Sequence, residues 1–337
     1  MTRTLTTRYA RSPQWRDGQF RNSTEVPLGV PLRKIPSLLY KQLSGGIGRM
    51  PEQPLPLLPF DRDAFLQPDG LTRYVWYGHA AVLMRMSGQT LFIDPMMGDN
   101  ASPIAPFKTR RFADGTLDVI ADLPPIDAVL YTHDHYDHLD LSSVRRLRSR
   151  VKRWIVMLGV GRHLVRWGIP ESAITELDWW EQTAQGPITI HATPTQHFAG
   201  RGPFDRAKSL WGGFVMTTPT ERVYFSGDGG YGDHFKAVGE RLGPFDFGMM
   251  ECGQYNENWR PLHLFPDESV QAAHDAGVRI AMPFHWGGFS LAQHSWQTPV
   301  VDFLSAADAA GLPVVTPRLG EVFAVQDRPT TRWWESL

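Results

Sequence analysis

The side chains best suited to chemistry lie in one short run of the 337-residue chain, THDHYDHLD at residues 132–140. His133 and His135 have the spacing that lets two imidazoles reach one metal ion from a turn after a strand, while Asp137 and His138 point elsewhere and can reach a second ion. A histidine-rich surface loop is the alternative interpretation. The H-x-H-x-D-H order and the apolar strand directly before it favour a metal site, since functional loops tend to follow buried strands.

Three further potential ligands lie later in the chain, each shortly after an apolar segment. A single histidine or aspartate in such a place is weak evidence, because most are packed or surface residues. Together with the first run they form a set of imidazole and carboxylate groups that suits zinc and similar divalent ions. They are His197 after residues 188–192, Asp228 after residues 223–225, and His285 after residues 280–284.

Such a set needs a sheet-rich scaffold, and the chain supplies one from residue 71 onward. Short apolar runs predict strands at residues 74–77, 81–86, 90–93, 126–131, 154–158, 188–192, 213–217, 222–225, 247–250, 280–283 and 322–325. Helical patterns predict helices at residues 141–150, 162–167, 234–241, 267–276 and 299–310. Many strands with helices between them indicate an α/β protein with sheet-on-sheet or sheet-and-helix layers.

Composition limits what this chain can be. Its 34 Lys and Arg against 35 Asp and Glu give a formal net charge of −1, which argues against a general nucleic-acid-binding protein. The single cysteine excludes an internal disulfide and a thiolate-rich zinc site. We expect no transmembrane helix, because no apolar run reaches about 18–20 residues, and a cytoplasmic location, because no secretory-signal pattern is present. The sequence gives no prediction of the oligomeric state.

Residues 1–60 differ from the rest, with nine Lys or Arg, three Asp or Glu and eight prolines. We treat them as an N-terminal arm and residues 61–337 as the catalytic domain. Proline disfavours regular structure, so we expect the arm to wrap over the domain and border the mouth of the active site. It is either plain structural wrapping or a contact for anionic lipid that places the protein peripherally at a membrane. The residues that would make this contact are Arg33, Lys34, Leu38, Leu39, Tyr40, Lys41, Leu43 and Ile47.

The order of the potential ligands resembles the metallo-β-lactamase fold superfamily: H-x-H-x-D-H, then His, then Asp in a Gly-Asp pair, then His. The match extends over roughly residues 70–300. Within the superfamily, the chain is similar to the branch of the phospholipase D that hydrolyses N-acyl-phosphatidylethanolamine. The stretches that carry this likeness are residues 76–80, 132–140, 196–197, 209–213, 225–231, 243–246 and 285–287.

The resemblance implies an α/β fold of the αββα sandwich type, with two metal ions at one edge. Zinc is the usual metal of the family, and iron and manganese accept the same kinds of side chain. The implied ligands are His133, His135 and His197 for the first ion, Asp137, His138 and His285 for the second, and Asp228 as the bridge between them.

Two divalent ions about 3.5–4 Å apart can lower the pKa of a shared water and offset the charge of a phosphodiester, which suits phosphodiester hydrolysis. Asp137 can orient the attacking water as well as bind metal, because an ionised carboxylate only accepts hydrogen bonds. His263 corresponds in the resemblance to a histidine near the pocket. It is a candidate proton donor or phosphate-oxygen partner, and a surface histidine is the alternative. Tyr136 can hydrogen-bond a phosphate oxygen, and a packing role is the alternative.

Metal-bound histidines usually give their second ring nitrogen to a carboxylate or a carbonyl. Asp94, Asp140 and His79 lie near strand ends or near the motif, and we expect them to support the ligands. Cys252 also follows a strand. We expect it to be a buried apolar residue rather than a ligand, because seven ligands are present without it.

Functions of different classes remain open at this point. The favoured one is a phosphodiesterase that acts on phospholipids of the N-acyl-phosphatidylethanolamine type. The second is hydrolysis of a soluble ester, lactone or small-molecule phosphodiester by the same site. The third, a non-catalytic binding protein on this fold, would be expected to lose ligands, and all seven are present. A redox di-iron site is disfavoured, because such sites usually have an acidic residue at the position of His135.

Overall fold

The computed structural model describes residues 8–26, 48–102, 109–202 and 204–337. The first described segment forms a small antiparallel hairpin of β1 (Trp15–Arg16) and β2 (Gln19–Phe20). The residues predicted to contact lipid lie outside the described ranges, so that role stays a prediction. They are Arg33, Lys34, Lys41 and the apolar residues from Leu38 to Ile47.

A seven-stranded mixed sheet carries the motif loop. Its order is β15-β3-β4-β5-β6-β7-β8, in which the neighbours from β5 to β8 are parallel and the others are antiparallel. These strands are β3 (Arg73–Trp76), β4 (Val82–Met86), β5 (Gln89–Ile93), β6 (Ile126–Tyr131), β7 (Val151–Met157), β8 (Ile174–Leu177) and β15 (Val322–Phe323). Apart from one aspartate, β6 is fully buried, which is typical of a central parallel strand covered on both faces.

A second mixed sheet has six strands in the order β14-β13-β12-β11-β10-β9. The neighbours from β12 to β14 are parallel, and the others are antiparallel. The strands are β9 (Gln182–Gln185), β10 (Ile188–Thr193), β11 (Gly213–Thr217), β12 (Arg222–Phe225), β13 (Phe247–Glu251) and β14 (Ala281–Phe284).

The two sheets pack face to face, and helices flank them. Tyr74 of β3 and Phe247 of β13 meet across the core with ring centroids 4.9 Å apart. The helices in the described ranges are α1 (Arg62–Leu66), α2 (Thr116–Val119), α3 (Leu141–Leu147), α4 (Gly161–Arg166), α5 (His234–Leu242), α6 (Pro266–Asp275) and α7 (Thr298–Ala310). None of them combines the length and apolar character needed to cross a bilayer. This arrangement confirms the predicted αββα sandwich.

Most predicted elements are present, with shifts at their ends that have local causes. The predicted helix 141–150 ends at Leu147, because the turn at Arg148 leads straight into β7. The predicted strand 322–325 ends at Phe323, because a 3₁₀ turn follows at Val325–Asp327. β8 and β9 were not predicted, because β8 has only two apolar residues and β9 is a polar edge strand without apolar alternation.

Candidate metal centre

The carboxyl ends of strands from both sheets converge at one edge of the sandwich. In the first sheet, β5 ends before Asp94 and β6 leads into the motif loop at residues 132–140. In the second sheet, β10 leads towards His197, β12 towards Asp228 and β14 directly into His285. Parallel strands end at the same edge of a sheet, so residues far apart in sequence reach one site.

One group of ligand atoms comes from three imidazoles. His133 Nε2 lies 2.9 Å from His135 Nδ1, and His197 Nε2 lies 3.2 Å from the same atom. In a tetrahedral zinc site with Zn–N bonds of about 2.0–2.1 Å, ligand nitrogens lie about 3.3 Å apart. Burial lowers the pKa of His135 to about 4 and holds the pKa values of His133 and His197 well below the usual value. All three rings are therefore neutral near pH 7, the form that binds metal.

Two imidazoles and two carboxylates form the second group. The Nε2 atoms of His138 and His285 lie 3.2 Å apart, and Asp228 Oδ2 lies 3.0 Å from the first and 3.1 Å from the second. Asp137 Oδ2 lies 3.6 Å from His138 Nε2 and 3.4 Å from His285 Nε2. The four atoms offer the mixture of nitrogen and oxygen donors that zinc, iron and manganese accept.

Asp228 lies between the two groups. Its Oδ2, which belongs to the second group, is 3.9 Å from His133 Nε2 in the first. Its Oδ1 is buried and has no hydrogen-bond partner among the described residues. A buried carboxylate oxygen without a partner is costly, and a bound cation would satisfy it. The structure thus brings the seven predicted side chains into two adjoining groups, and the donor set fits divalent metal ions.

The carboxylates make this space favourable for positive charge. Burial alone would raise the pKa of Asp228, but His138 and His285 hold that pKa well below its usual range. Burial alone would lower the pKa of His285, but Asp228, Asp137 and Glu251 raise it to about 10. A cation between these groups is therefore stabilised by neighbouring negative charge.

Contacts behind the ligand atoms fix their orientation. Asp94 Oδ2 lies 2.8 Å from His138 Nδ1 and accepts a hydrogen bond from the Thr132 hydroxyl at 2.6 Å. His79 Nε2 lies 2.8 Å from Asp137 Oδ2. Asp94 and His79 thus contact two of the predicted ligands, as expected, and their role in supporting bound metal stays a prediction.

Two other expectations have opposite outcomes. The expectation that Asp140 supports a ligand is wrong, because Asp140 caps α3 and accepts a hydrogen bond from the Ser143 N–H at 2.6 Å. Asp is a preferred N-cap residue, since its carboxylate satisfies an amide that the helix leaves free. Cys252 is buried and lies 3.4 Å from the Phe284 carbonyl, outside both ligand groups, as expected.

His263 lies beside both ligand groups. Its ring centroid is 5.0 Å from that of His197 and 5.4 Å from that of His285. Its Nδ1 lies 2.6 Å from Oε1 of the buried Glu251. The side chain is only 15% exposed, so the alternative of a surface histidine is wrong. Glu251 fixes Nδ1 as the nitrogen that carries a proton, which leaves Nε2 for other chemistry.

Tyr136 is half-buried in the motif loop, and the guanidinium of Arg201 lies 3.9 Å from its ring centroid. Arg201 also donates to the carbonyls of Asp134 at 2.8 Å and Leu139 at 2.5 Å. The arginine therefore ties Tyr136 to both ends of the loop. This is the packing role foreseen as the alternative, and a phosphate contact by the hydroxyl stays a prediction.

Two residues at the centre were not predicted from the sequence. Glu251 is the last residue of β13. It could have been predicted in the same way as Asp94, because both are acidic residues at the end of an apolar strand. Asn22 of the N-terminal arm hydrogen-bonds the backbone of His197. No sequence signal separates Asn22 from any other asparagine in an irregular segment.

Comparison with protein families and known sequences agrees with this geometry. The family described as "Beta-lactamase superfamily domain" matches residues 89–286. The chain is 33% identical over 315 residues to an uncharacterized protein of Mycobacterium tuberculosis, covering 92% of this chain and 84% of the relative. It is 32% identical over 292 residues to the N-acyl-phosphatidylethanolamine-hydrolyzing phospholipase D 1 of Caenorhabditis elegans, covering 81% of each.

Among solved structures, the chain is similar to Igni18, a metallo hydrolase from the archaeon Ignicoccus hospitalis. The TM-score is 0.58 at 18% sequence identity, with 75% of this chain and 97% of that chain covered. At this identity the likeness concerns the fold alone.

Proposed function

The chain belongs to the metallo-β-lactamase hydrolase family, and from this premise we propose that it is a two-metal phosphodiesterase of the phospholipase D type. Its substrates are phospholipids of the N-acyl-phosphatidylethanolamine type, and its products are phosphatidic acid and an N-acylethanolamine. The observation that carries the proposal is the convergence of seven His and Asp side chains into two groups that adjoin at Asp228.

We assign each group one divalent ion. Zinc is the metal we favour, and iron or manganese would accept the same donors. When bound, such ions lower the pKa of a water and offset the negative charge of a phosphodiester. The assigned ligands are His133, His135 and His197 for one ion, Asp137, His138 and His285 for the other, and Asp228 between them.

Asp137 is the carboxylate best placed to orient the attacking water. Its side chain is 14% exposed, whereas that of Asp228 is 1% exposed, so water reaches Asp137 more readily. His79 engages Oδ2 of Asp137 and holds the carboxylate in one orientation. An ionised carboxylate accepts hydrogen bonds only, and it therefore points the oxygen lone pairs of the water away from itself, towards phosphorus.

His263 is the residue we assign as proton donor to the leaving alkoxide of the ethanolamine headgroup. Glu251 engages its Nδ1 at 2.6 Å, so Nε2 is the nitrogen assigned to give up the proton. Tyr136, half-buried in the motif loop, is assigned to hydrogen-bond a phosphate oxygen. The guanidinium of Arg201 above its ring holds it there.

The choice of substrate is supported by the relative from Caenorhabditis elegans, which is similar along 81% of both chains and carries phospholipase D in its name. A phospholipid also fits the predicted lipid contact of the arm. The alternative substrates are soluble esters, lactones or small phosphodiesters, which the same site could hydrolyse. All seven ligand side chains are present, which disfavours a purely binding role.

The test uses purified protein loaded with zinc and, separately, with iron or manganese. Each form is given N-acyl-phosphatidylethanolamine in mixed micelles, a bis-aryl phosphodiester and a lactone, and the products are identified by mass spectrometry. In ¹⁸O-water, attack at phosphorus labels the phosphatidic acid and leaves the N-acylethanolamine unlabelled. Turnover of the lactone without turnover of either diester would move the substrate to the alternative class.

The matched control for this test is Asp228→Ala beside Asp127→Ala. Asp228→Ala removes the carboxylate between the two groups and should abolish both stoichiometric metal binding and turnover. Asp127 lies on β6 and hydrogen-bonds the Thr90 N–H at 2.9 Å, away from the ligands. Its variant should keep both. An Asp228→Ala protein with two ions and full activity would contradict the assigned role.

A further inference from the structure

Residues 8–26 of the N-terminal arm are docked on the loop that precedes β11. Phe20 is fully buried, and its N–H donates to the Ala207 carbonyl at 2.8 Å. Its ring packs against those of Tyr9 and Trp15, with centroids 5.7 and 4.9 Å away. The hairpin β1–β2 therefore presents the next residues of the arm to the metal centre in a fixed orientation.

Asn22 uses both ends of its amide on one residue of that centre. Its Nδ2 donates to the His197 carbonyl at 2.9 Å, and its Oδ1 accepts from the His197 N–H at 3.1 Å. The same Oδ1 accepts from the Trp211 indole N–H at 2.9 Å. The side chain thus pairs with the backbone of His197 as a neighbouring strand would.

These contacts matter because His197 is fully buried. A buried backbone N–H or carbonyl that loses its hydrogen-bond partner is destabilising, because it no longer has water to replace that partner. On the ring, Nδ1 lies 2.8 Å from the Leu262 carbonyl, which directs Nε2 towards His133 and His135. Leu262 therefore fixes the rotation of the imidazole, and Asn22 fixes the backbone that carries it.

We infer that Asn22 is a positioning residue of the metal centre, and that docking of the arm and metal binding at His133, His135 and His197 stabilise each other. The inference rests on the proposed role of His197 as a ligand. Coupling between two binding events is reciprocal, so metal should hold the arm in place as much as the arm supports metal affinity.

The first test measures metal affinity by competition with a chromophoric chelator. Asn22→Ala removes both hydrogen bonds to His197 and should lower the affinity for one of the two ions by about 10- to 100-fold. A loss of this size is typical when a group that supports a metal ligand is removed. Asn22→Asp keeps the acceptor for the His197 N–H but places a carboxylate oxygen next to the His197 carbonyl, where two acceptors repel. It should therefore lower the affinity for the same ion. Gln19→Ala is the matched control. Its amide lies in the same hairpin and donates to the Arg206 carbonyl at 3.3 Å, away from the ligands.

The second test needs no variant. Trypsin cleavage after Arg16 and Arg21, both exposed, reports opening of the docked arm. In the wild-type protein, removal of metal by chelator should speed cleavage at these two sites at least several-fold, and added zinc should restore protection.

The outcomes separate this inference from the proposed function. Wild-type affinity for both ions in Asn22→Ala, an equal loss in Gln19→Ala, or cleavage that ignores metal would each overturn the role of Asn22 while the two-metal site stands. A wild-type protein that binds no divalent ion would overturn both proposals.

Discussion

Asp94 and His138 are joined behind the metal centre, with 2.8 Å between Oδ2 of the carboxylate and Nδ1 of the ring, and both side chains are fully buried. Asp94 also accepts hydrogen bonds from the Thr132 N–H at 2.8 Å and from its hydroxyl at 2.6 Å. The end of β5 thereby fixes both the start of the motif loop and the ring of one assigned ligand. Such a carboxylate sets the ring orientation and makes the opposite nitrogen more basic.

The first prediction concerns this pair. Asp94→Asn keeps the shape of the side chain but removes its negative charge, so His138 Nε2 becomes a less basic ligand for a metal ion. The affinity for the ion assigned to His138 should fall by about 10- to 100-fold, measured by chelator competition. Asp127→Asn, on the neighbouring strand β6 and away from the ligands, is the control. Equal affinities in the two variants would show that Asp94 does not tune the site.

The site itself was largely readable from the sequence. His133, His135, Asp137 and His138 lie in one local motif, whose spacing is independent of the rest of the chain. The other assigned ligands can be predicted because each follows an apolar strand, and the carboxyl ends of such strands meet at one edge. The supporting residues Asp94 and His79 lie close to the same edge and were found in the same way.

The parts that were missed depend on contacts between distant segments or on a competing local rule. Asn22 reaches His197 across 175 positions of sequence, and no periodicity marks such a contact. Asp140 was misassigned because its place beside the motif outweighed its place before Leu141, where it serves as a helix cap. Glu251 is the last residue of β13, and nothing in the sequence shows that it is buried. A buried carboxylate is less common than a buried cysteine, so the pattern draws attention to Cys252 instead.

The second prediction concerns His263. If its Nε2 protonates the leaving group, His263→Gln should lower kcat on N-acyl-phosphatidylethanolamine by about 100-fold or more, with a much smaller change in KM. A bis-aryl phosphodiester has a leaving group that departs without a proton, so kcat on that substrate should fall far less. The comparison of the two substrates by steady-state kinetics isolates proton donation from general damage.

Glu251→Gln provides the companion measurement. Glu251 contacts both His263 and His285, so Glu251→Gln should slow the hydrolysis of both substrates. The additional loss of kcat on N-acyl-phosphatidylethanolamine should disappear when His263 is already replaced by Gln. An equal loss of kcat on both substrates in His263→Gln, or an additional loss on N-acyl-phosphatidylethanolamine that persists in the double variant, would show that His263 does not act as the acid.

The third prediction concerns the predicted lipid contact of the arm. Replacement of Arg33, Lys34 and Lys41 together by Gln removes three positive charges and should weaken binding to anionic vesicles by several-fold at low salt. Wild-type binding should also weaken as salt is added, because the attraction is screened. Sedimentation with vesicles of phosphatidylglycerol and phosphatidylcholine measures both effects. Unchanged binding in the triple variant would leave the arm as structural wrapping only.

The fourth prediction concerns His234, the first residue of α5. Its side chain is half-buried, and its Nε2 is buried and has no hydrogen-bond partner among the described residues. Burial lowers its pKa to about 3, whereas an unfolded histidine titrates near pH 6.5. Below about pH 6.5 the unfolded chain therefore binds a proton at His234 that the folded protein does not bind. Folding stability is lost as pH falls from there towards 3, by up to about 1.4 kcal/mol per pH unit.

His234→Asn removes this titration, so the free energies of unfolding of variant and wild type should converge or cross as pH falls. At pH 7 the variant should be less stable, because it loses packing of the imidazole on Phe235, with ring centroids 4.1 Å apart. By pH 4.5 the difference should have moved in its favour by about 2–3 kcal/mol. Urea unfolding of the chelated proteins measures this, since the histidines of the metal centre then contribute equally to both. The control is His274→Asn, because the His274 side chain is 82% exposed, and its difference in unfolding free energy from wild type should not move with pH in this way. If the difference between wild type and His234→Asn stays constant from pH 7 to 4.5, the fold does not keep His234 neutral.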